Sequence, residues 1–135
     1  MGNVITGHCL CGAVQCQANV APIATVNCHC TDCRRVTGSV YGTVLYFERS
    51  DVTITGALGS FEHKSDRGSA LTKQFCAVCG SQVFVMNGAY PTWIGIRAGC
   101  IDQTSNIQPQ RNVFVESKVE TTPMDPSLPA IRRMP

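Results

Sequence analysis

The sequence has little charge and no long apolar run. Asp, Glu, Lys and Arg make up 15% of the 135 residues, and the formal net charge is only +2. The basic residues are scattered along the chain, which disfavours a surface for nucleic acid or for an anionic membrane. No apolar run approaches the roughly 20 residues that a membrane span needs. We therefore expect neither nucleic acid nor membrane as a partner.

The N-terminus also lacks the basic flank and apolar core of an export signal. We therefore expect a cytoplasmic protein in a reducing compartment, where clustered cysteines hold metals more often than they form disulfides. Gly2 and Thr6 fit an N-terminal acylation pattern, although Gly2 is explained as simply by the start of the chain.

Helix signals are scarce, and most of the sequence shows strand patterns. Val14, Cys16 and Ala18 alternate with polar residues, which is typical of a half-buried strand. Further strands are predicted from β-branched and aromatic content at 41–47, 52–55, 60–63, 70–75, 82–86, 92–96 and 113–115. One short helix is predicted over residues 31–36, with Thr31 or Asp32 at its start and Gly38 at its end. The fold class predicted is all-β.

The length favours a single domain with a real core. We predict that this domain spans residues 1–122. The remaining residues, 123–135, are predicted to be an extended surface tail without regular structure, because prolines interrupt it at Pro123, Pro126, Pro129 and Pro135.

Cysteine is the residue type in excess, and seven of the nine cysteines fall into three tight clusters. The first and last clusters are each followed by a glycine, Gly12 or Gly80, which tolerates positive φ and frees backbone N–H groups to face the sulfurs. Four thiolates describe a closed, structural zinc site. The alternatives are buried free thiols or disulfides, for which such turns are poor frames. The predicted ligands of the structural zinc are Cys9, Cys11, Cys76 and Cys79.

The middle cluster supplies only three sulfurs, from Cys28, Cys30 and Cys33. Its C-x-C-x-x-C spacing can direct three sulfurs at one metal from a turn that leads into a short helix. His29 lies between two of the cysteines and is expected to point away. The site is then completed by water or a substrate sulfur, as in a catalytic zinc site. The alternative is a second structural zinc, closed by His29, His8 or a spare cysteine.

Charge indicates which chemistry a three-cysteine zinc site performs. Zinc with three thiolates carries a charge of about −1, which argues against strong activation of water. Such a site suits a thiolate guest that is presented to an electrophile. A fourth thiolate would require nearby cations, and Arg34 and Arg35 directly follow Cys33. They are candidates for charge stabilisation or for binding substrate carboxylates, unless they simply form a solvated helix face.

The two cysteines outside the clusters, the single tryptophan and the other two histidines have structural explanations. Cys16 and Trp93 are predicted to lie in the core, and Cys100 is predicted to pack rather than to bind metal. His8 and His63 are interpreted as ordinary polar residues.

The motifs as a set resemble the glutathione-dependent formaldehyde-activating enzyme family, which includes the centromere protein V group. They are G-x-C-x-C-G at 7–12, C-H-C-x-x-C-R-R-x-T-G at 28–38 and F-C-x-x-C-G-S at 75–81, with further similarity at 96–102 and 113–118. The resemblance implies folded-over antiparallel sheets, as in methionine-R-sulfoxide reductases and a zinc-binding Rab-interacting chaperone. It implies two zinc ions, on the structural and catalytic ligand sets named above.

The resemblance also implies an activity. It is the addition of glutathione sulfur to formaldehyde, giving S-hydroxymethylglutathione, and the expected partner is therefore a small thiol, glutathione. The chain departs from the family pattern at Asn112, where histidine is usual, after Lys118, where tryptophan is usual, and at Cys100. The leading hypothesis is a zinc-dependent carbon–sulfur lyase. The alternatives are a zinc-stabilised binding module without chemistry, and a sulfoxide reductase that would need a metal-free reactive thiol at Cys16 or Cys100.

Overall fold

The computed structural model describes residues 4–133. Gly2, on which the acylation hypothesis depends, and Pro135 lie outside this range. The described chain forms one α-helix, α1 (Thr31–Thr37), and short 3-10 helices at Arg49–Asp51, Ala98–Cys100, Thr104–Asn106 and Val115–Ser117. Its strands are β1 (Ile5–His8), β2 (Gln15–Ala18), β3 (Ala24–Cys28), β4 (Gly42–Glu48), β5 (Val52–Thr55), β6 (Leu58–Lys64), β7 (Ala70–Cys76), β8 (Gln82–Asn87), β9 (Trp93–Arg97), β10 (Arg111–Val113) and β11 (Ala130–Ile131).

Two sheets stack to form the molecule, so the all-β prediction is confirmed. The small sheet is antiparallel, with strand order β1-β2-β5. The large sheet has eight strands in the order β11-β10-β3-β4-β9-β8-β7-β6. It is antiparallel except at one edge, where β10 runs parallel to both β3 and β11. Within residues 4–133 no helix is long and apolar enough to cross a membrane.

The main core lies between the two sheets, because strand residues alternate between faces. From the large sheet Leu45, Phe47 and Ile94 are fully buried, and from the small sheet Ile5 and Cys16 join them. Cys16 therefore lies in the core, as predicted. Cys100, partly buried, packs against this core.

The other side of the large sheet, called here the open face, carries the residues of chemical interest. Cross-strand partners point to the same side of a sheet. Cys28 pairs with Gly42, Val44 pairs with Arg97, and Val85 pairs with Lys73. These side chains therefore share one face, and α1 covers one end of it with buried Cys33.

The helix prediction is correct in position but wrong in the residue that caps its start. Neither Thr31 nor Asp32 caps α1; Cys30 does, and its Sγ accepts a hydrogen bond from the Cys33 N–H at 3.2 Å. A thiolate can take the place of the usual oxygen cap, because it also accepts from free N–H groups. Gly38 ends the helix with a φ of 70°, as predicted.

The C-terminal predictions need correction at two points. The strand predicted over residues 113–115 ends at Val113, because Phe114 adopts a left-handed conformation with a φ of 56°. The tail is not free of regular structure, because Ala130 and Ile131 form β11. The Asn112 N–H donates to the Pro129 carbonyl at 2.9 Å. Proline still accepts hydrogen bonds, so prolines beside a two-residue edge strand do not prevent it.

Gly56 provides a stability test of the turn that supports the first cysteine pair. Its φ is +104°, and an added Cβ would overlap the carbonyl oxygen of Ala13 and lie 2.8 Å from the Val14 Cα. We expect Gly56→Ala to destabilise the protein by about 2–4 kcal/mol, because both strain and overlap must be relieved. Gly99→Ala is the control, since its Cβ meets nothing within 4 Å. Urea unfolding should show a change within about 0.5 kcal/mol for the control. Equal midpoints for the two variants would contradict the expectation.

Candidate functional site

The structure brings the first and last cysteine pairs together into a four-cysteine cluster. The Sγ atoms all lie within 4.8 Å of one another, from Cys9, Cys11, Cys76 and Cys79. The Cys9–Cys11 and Cys11–Cys76 sulfur separations are 3.7 and 3.8 Å. Zinc held tetrahedrally at about 2.3 Å separates its sulfurs by about 3.8 Å, so this donor set fits zinc.

Backbone and hydroxyl groups support the thiolate forms of two cysteines of this cluster, Cys9 and Cys79. The Val14 N–H donates to the Cys9 Sγ at 3.3 Å and lowers the pKa of that thiol. The Ser81 hydroxyl lies 3.1 Å from the Cys79 Sγ and, with the Ser81 N–H, lowers the pKa of Cys79 to about 5. Ser81 also accepts from the Leu10 N–H at 3.1 Å, so it joins the two turns. Metal ligands of this kind are favoured where N–H groups face the sulfur.

The glycines in the two turns have the predicted role. Gly12 has a φ of 82° and Gly80 a φ of 79°. The Cys76 Sγ accepts from the N–H groups of Val78 and Cys79 at 3.3 and 3.4 Å. The turns therefore direct backbone donors at the sulfurs, as the sequence indicated.

The second group is the three-cysteine cluster of Cys28, Cys30 and Cys33, whose Sγ atoms also lie within 4.8 Å of one another. Across residues 4–133, no fourth His, Cys, Asp or Glu donor joins this group. The three sulfurs could hold a metal ion and would leave one tetrahedral position for another ligand. Cys28 comes from the end of β3 and the other two from the start of α1.

His29 does not complete the three-cysteine cluster. Its side chain is 1% exposed, and its Nε2 lies 3.0 Å from the Oδ1 of Asn112. Its ring lies 4.8 Å from that of Tyr41. The ring thus turns away from the sulfurs, which agrees with the expectation from the sequence. His8 instead pairs with Asp102 at 2.8 Å, and Cys100 donates to the Gln82 carbonyl.

Arg97 is the cation that contacts the cluster, and sequence reasoning missed it. Its guanidinium nitrogen (Nη1) lies 3.8 Å from the Cys33 Sγ, and the residue is 5% exposed. Without metal, hydrogen bonds from the thiols of Cys28 and Cys30 lower the pKa of Cys33 well below its usual range, and the charge of Arg97 lowers it further. Gly42 makes room for this contact, since a Cβ there would lie 3.2 Å from the Arg97 Nη1.

Lys73 is a second buried cation on the open face. It is 4% exposed, burial lowers its pKa, and the Cys33 and Cys30 thiolates oppose that effect. Within residues 4–133 neither Lys73 nor Arg97 forms an ion pair with a carboxylate. A buried charge requires a counter-charge, and the anionic groups that favour the charged form of Lys73 are the Cys33 and Cys30 thiolates and, to a smaller extent, the Asp32 carboxylate.

The predicted arginines lie on the outer side of α1. Arg34 is half-buried and Arg35 exposed, and both line an open groove with Val119. The Arg34 Nε is buried and has no hydrogen-bond partner in residues 4–133. We call this groove, which lies beside the helix that carries Cys33, the arginine groove.

Comparison with known proteins gives a family and a fold. The family model described as glutathione-dependent formaldehyde-activating enzyme matches residues 4–117. A crystal structure of a Rhodobacter sphaeroides protein is similar in fold, with a TM-score of 0.58 and 22% sequence identity over 73% of this chain and 88% of that chain. Comparison with curated proteins gave no match. The family match covers most of the chain and contains both cysteine clusters, so the chain belongs to the glutathione-dependent formaldehyde-activating enzyme family.

Proposed function

We propose that the protein is a zinc-dependent carbon–sulfur lyase-type enzyme. It acts on the adduct of glutathione, or another small thiol, with formaldehyde or a small carbonyl compound. Cys28, Cys30 and Cys33 hold a catalytic zinc, and the four-cysteine cluster holds a structural zinc. When bound in the three-cysteine cluster, zinc supplies a mild Lewis acid that holds a thiolate sulfur and lowers the pKa of the thiol. Family membership and the sulfur geometry support this assignment.

The observation that carries the proposal is the buried Arg97 guanidinium 3.8 Å from the Cys33 Sγ of the three-sulfur cluster, with Lys73 buried on the same face of the sheet. Zinc with three thiolates would have a net charge of about −1, whereas Arg97 and protonated Lys73 would contribute +2. One more negative charge would balance the group. A guest thiolate would bring that charge and could occupy the ligand position that Cys28, Cys30 and Cys33 leave open. The surroundings of the cluster are therefore suited to a thiolate guest rather than to neutral water.

In the reaction, the residues of the chain position the reactants and balance their charge. The thiol gives up its proton, its sulfur forms a bond to the carbonyl carbon, and the carbonyl oxygen takes up a proton; the reverse reaction breaks that carbon–sulfur bond. Arg97 stabilises the anionic sulfur before the attack. Glutathione carries two carboxylates, and we assign their binding to Arg34 and Arg35 in the arginine groove.

The cysteine inventory favours the cytoplasm as the place of action. All nine cysteines are free in the structure, and a reducing compartment keeps such thiols available for metal. Glutathione is the main thiol buffer there.

Titration calorimetry of zinc-loaded protein tests the thiolate guest. We expect glutathione to bind at least about tenfold more tightly than S-methylglutathione, which keeps both carboxylates but cannot form a thiolate. Arg97→Met should weaken glutathione binding about 10- to 100-fold, which is the usual effect of losing a residue that supports a metal site. The affinity for S-methylglutathione should stay unchanged. Arg97→Lys should recover part of the loss, because it restores the charge.

A parallel readout uses cobalt in place of zinc. Addition of glutathione should change the cobalt–thiolate absorption of the wild type at lower concentration than that of Arg97→Met. A binding module without chemistry would bind glutathione and S-methylglutathione equally and leave the cobalt spectrum unchanged, and that result would overturn the proposal.

A further inference from the structure

A second recess, the aromatic cleft, opens on the same face of the large sheet as the three-cysteine cluster. It encloses about 160 Å³, and its lining is mostly apolar, with Ala24, Val26, Tyr46, Asn87, Tyr90, Trp93 and Arg111. The ring centroids of Tyr90 and Trp93 lie 5.1 Å apart with an interplanar angle of 21°. Tyr46 and Trp93 are 5.8 Å apart at 43°. Such walls suit a flat ring, because aromatic faces stack in offset arrangements.

Trp93 is half-buried rather than a core residue, which corrects the prediction from the sequence. It begins β9 opposite Glu48, so its ring projects from the open face, whereas its neighbour Ile94 enters the main core. A half-buried tryptophan beside two half-buried tyrosines is a common feature of ligand sites.

The aromatic cleft lies next to the three-cysteine cluster. Val26 and Cys28 are two residues apart on β3 and therefore point to the same side, about 7 Å from each other. Tyr46 lines the cleft and also packs against the group that contains Cys28 and Cys33. The cleft and the cysteine cluster are therefore neighbours on this face, and Val26 and Tyr46 belong to both surroundings.

Arg111 adds a positive charge to the cleft. It stands opposite Val26 on the neighbouring strand, and within residues 4–133 no carboxylate pairs with it. The other polar groups among the lining residues are neutral: the Asn87 amide, the hydroxyls of Tyr46 and Tyr90, and the indole N–H of Trp93. A flat apolar recess with one unpaired guanidinium matches a ring that carries a carboxylate.

We propose that the aromatic cleft binds the carbonyl partner of the thiol, and that this partner is an aromatic aldehyde carrying a carboxylate. The inference rests on the proposed function, because it names the electrophile of that reaction. The ring packs against the aromatic side chains that line the cleft, Tyr46, Tyr90 and Trp93, the carboxylate pairs with Arg111, and the aldehyde carbon faces the sulfurs. The thiol sulfur bonds to that carbon, and the proton lost from the thiol ends on the former carbonyl oxygen. Nothing is oxidised or reduced.

The test uses Trp93, the single tryptophan of the chain, as a reporter. Zinc-loaded protein is titrated with 4-carboxybenzaldehyde without thiol, and with benzaldehyde in parallel, and calorimetry repeats both titrations. We expect saturable quenching by both compounds, with tighter binding of the carboxylate. Arg111→Met should weaken the binding of 4-carboxybenzaldehyde about tenfold and leave the binding of benzaldehyde unchanged. Tyr90→Leu should weaken the binding of both compounds. Absence of saturable quenching, or equal effects of Arg111→Met on both probes, would overturn the inference.

A second arm separates this inference from the proposed function. Glutathione is added, and the loss of aldehyde absorbance is followed for 4-carboxybenzaldehyde and compared with the consumption of formaldehyde. Accelerated consumption of the aromatic aldehyde, abolished in Cys33→Ser, supports the inference. Consumption of formaldehyde alone overturns the inference and leaves the proposed function standing. If glutathione itself does not bind, the proposed function fails, and with it the assignment of the electrophile, even where Trp93 reports a ligand.

Discussion

Replacing Cys76 by serine is expected to prevent stable folding. The Cys76 side chain is 1% exposed at the end of β7, and its sulfur lies 3.8 Å from that of Cys11, 65 residues away in the sequence. A structural zinc contributes on the order of 10 kcal/mol of apparent binding free energy, which becomes folding free energy. That amount is comparable with the whole stability of a typical domain, about 5–15 kcal/mol. We expect the variant to be insoluble or to unfold without a cooperative transition.

Cys100→Ser is the matched control for this experiment. Cys100 is partly buried and packs against the same core, but it belongs to neither cysteine cluster. It should keep two metals per chain by elemental analysis and a cooperative thermal transition by circular dichroism. A soluble Cys76→Ser protein with the thermal midpoint of the control would show that the four-cysteine cluster is not structural.

The cysteine clusters could be predicted from sequence because their geometry is local. Two sulfurs separated by one or two residues in a glycine-ended turn already point at a common centre, and Gly12 and Gly80 take the positive φ that this requires. The pairing of distant clusters then follows from the coordination number of zinc. Strands were predictable where alternation was strong, and Val52–Thr55 has the predicted bounds.

The cations of the candidate site escaped prediction because sheet register places them there. Arg97 lies 64 residues from Cys33, and no local pattern links the two. A signal was present in the case of Lys73, which shares the buried phase of β7 with Leu71. Lysine side chains are mostly exposed in folded proteins. A lysine that alternates in step with buried apolar residues of a strand is therefore easily overlooked. A charged residue on the inward phase of a strand is therefore a better indicator of a site than one that simply adjoins a cysteine motif, such as Arg34.

The edge of the large sheet shows a similar limit. Two parallel pairings, of β10 with β3 and with β11, connect segments that are distant in sequence. Such pairings leave no hairpin signal between the strands. They matter for the site, because β11 places Ile131 against the group that contains Cys28 and Cys33. The proline-rich segment thus packs beside the three-cysteine cluster.

Cys33→Ser is expected to have the opposite outcome to Cys76→Ser, although both remove one sulfur from a metal cluster. The three-cysteine cluster joins β3 only to the adjacent helix α1, so its loss leaves the two sheets linked. We expect a soluble protein whose thermal midpoint falls by only a few degrees, with one metal per chain instead of two. Glutathione binding should fall at least about 100-fold, because the fourth position for a thiolate disappears with the metal.

Metal release from the wild type gives an independent measure of the difference between the two cysteine clusters. A mild chelator should remove one metal rapidly and leave the other, and glutathione should change the rate of that loss, since it occupies the position through which the metal is reached. Cys33→Ser should show only the slow metal. If Cys33→Ser keeps two metals, or if both wild-type metals leave together at a rate that glutathione does not alter, the three-cysteine cluster is not an open site. A thiolate guest would then have no place on the metal, whereas the four-cysteine cluster would keep its role in the fold.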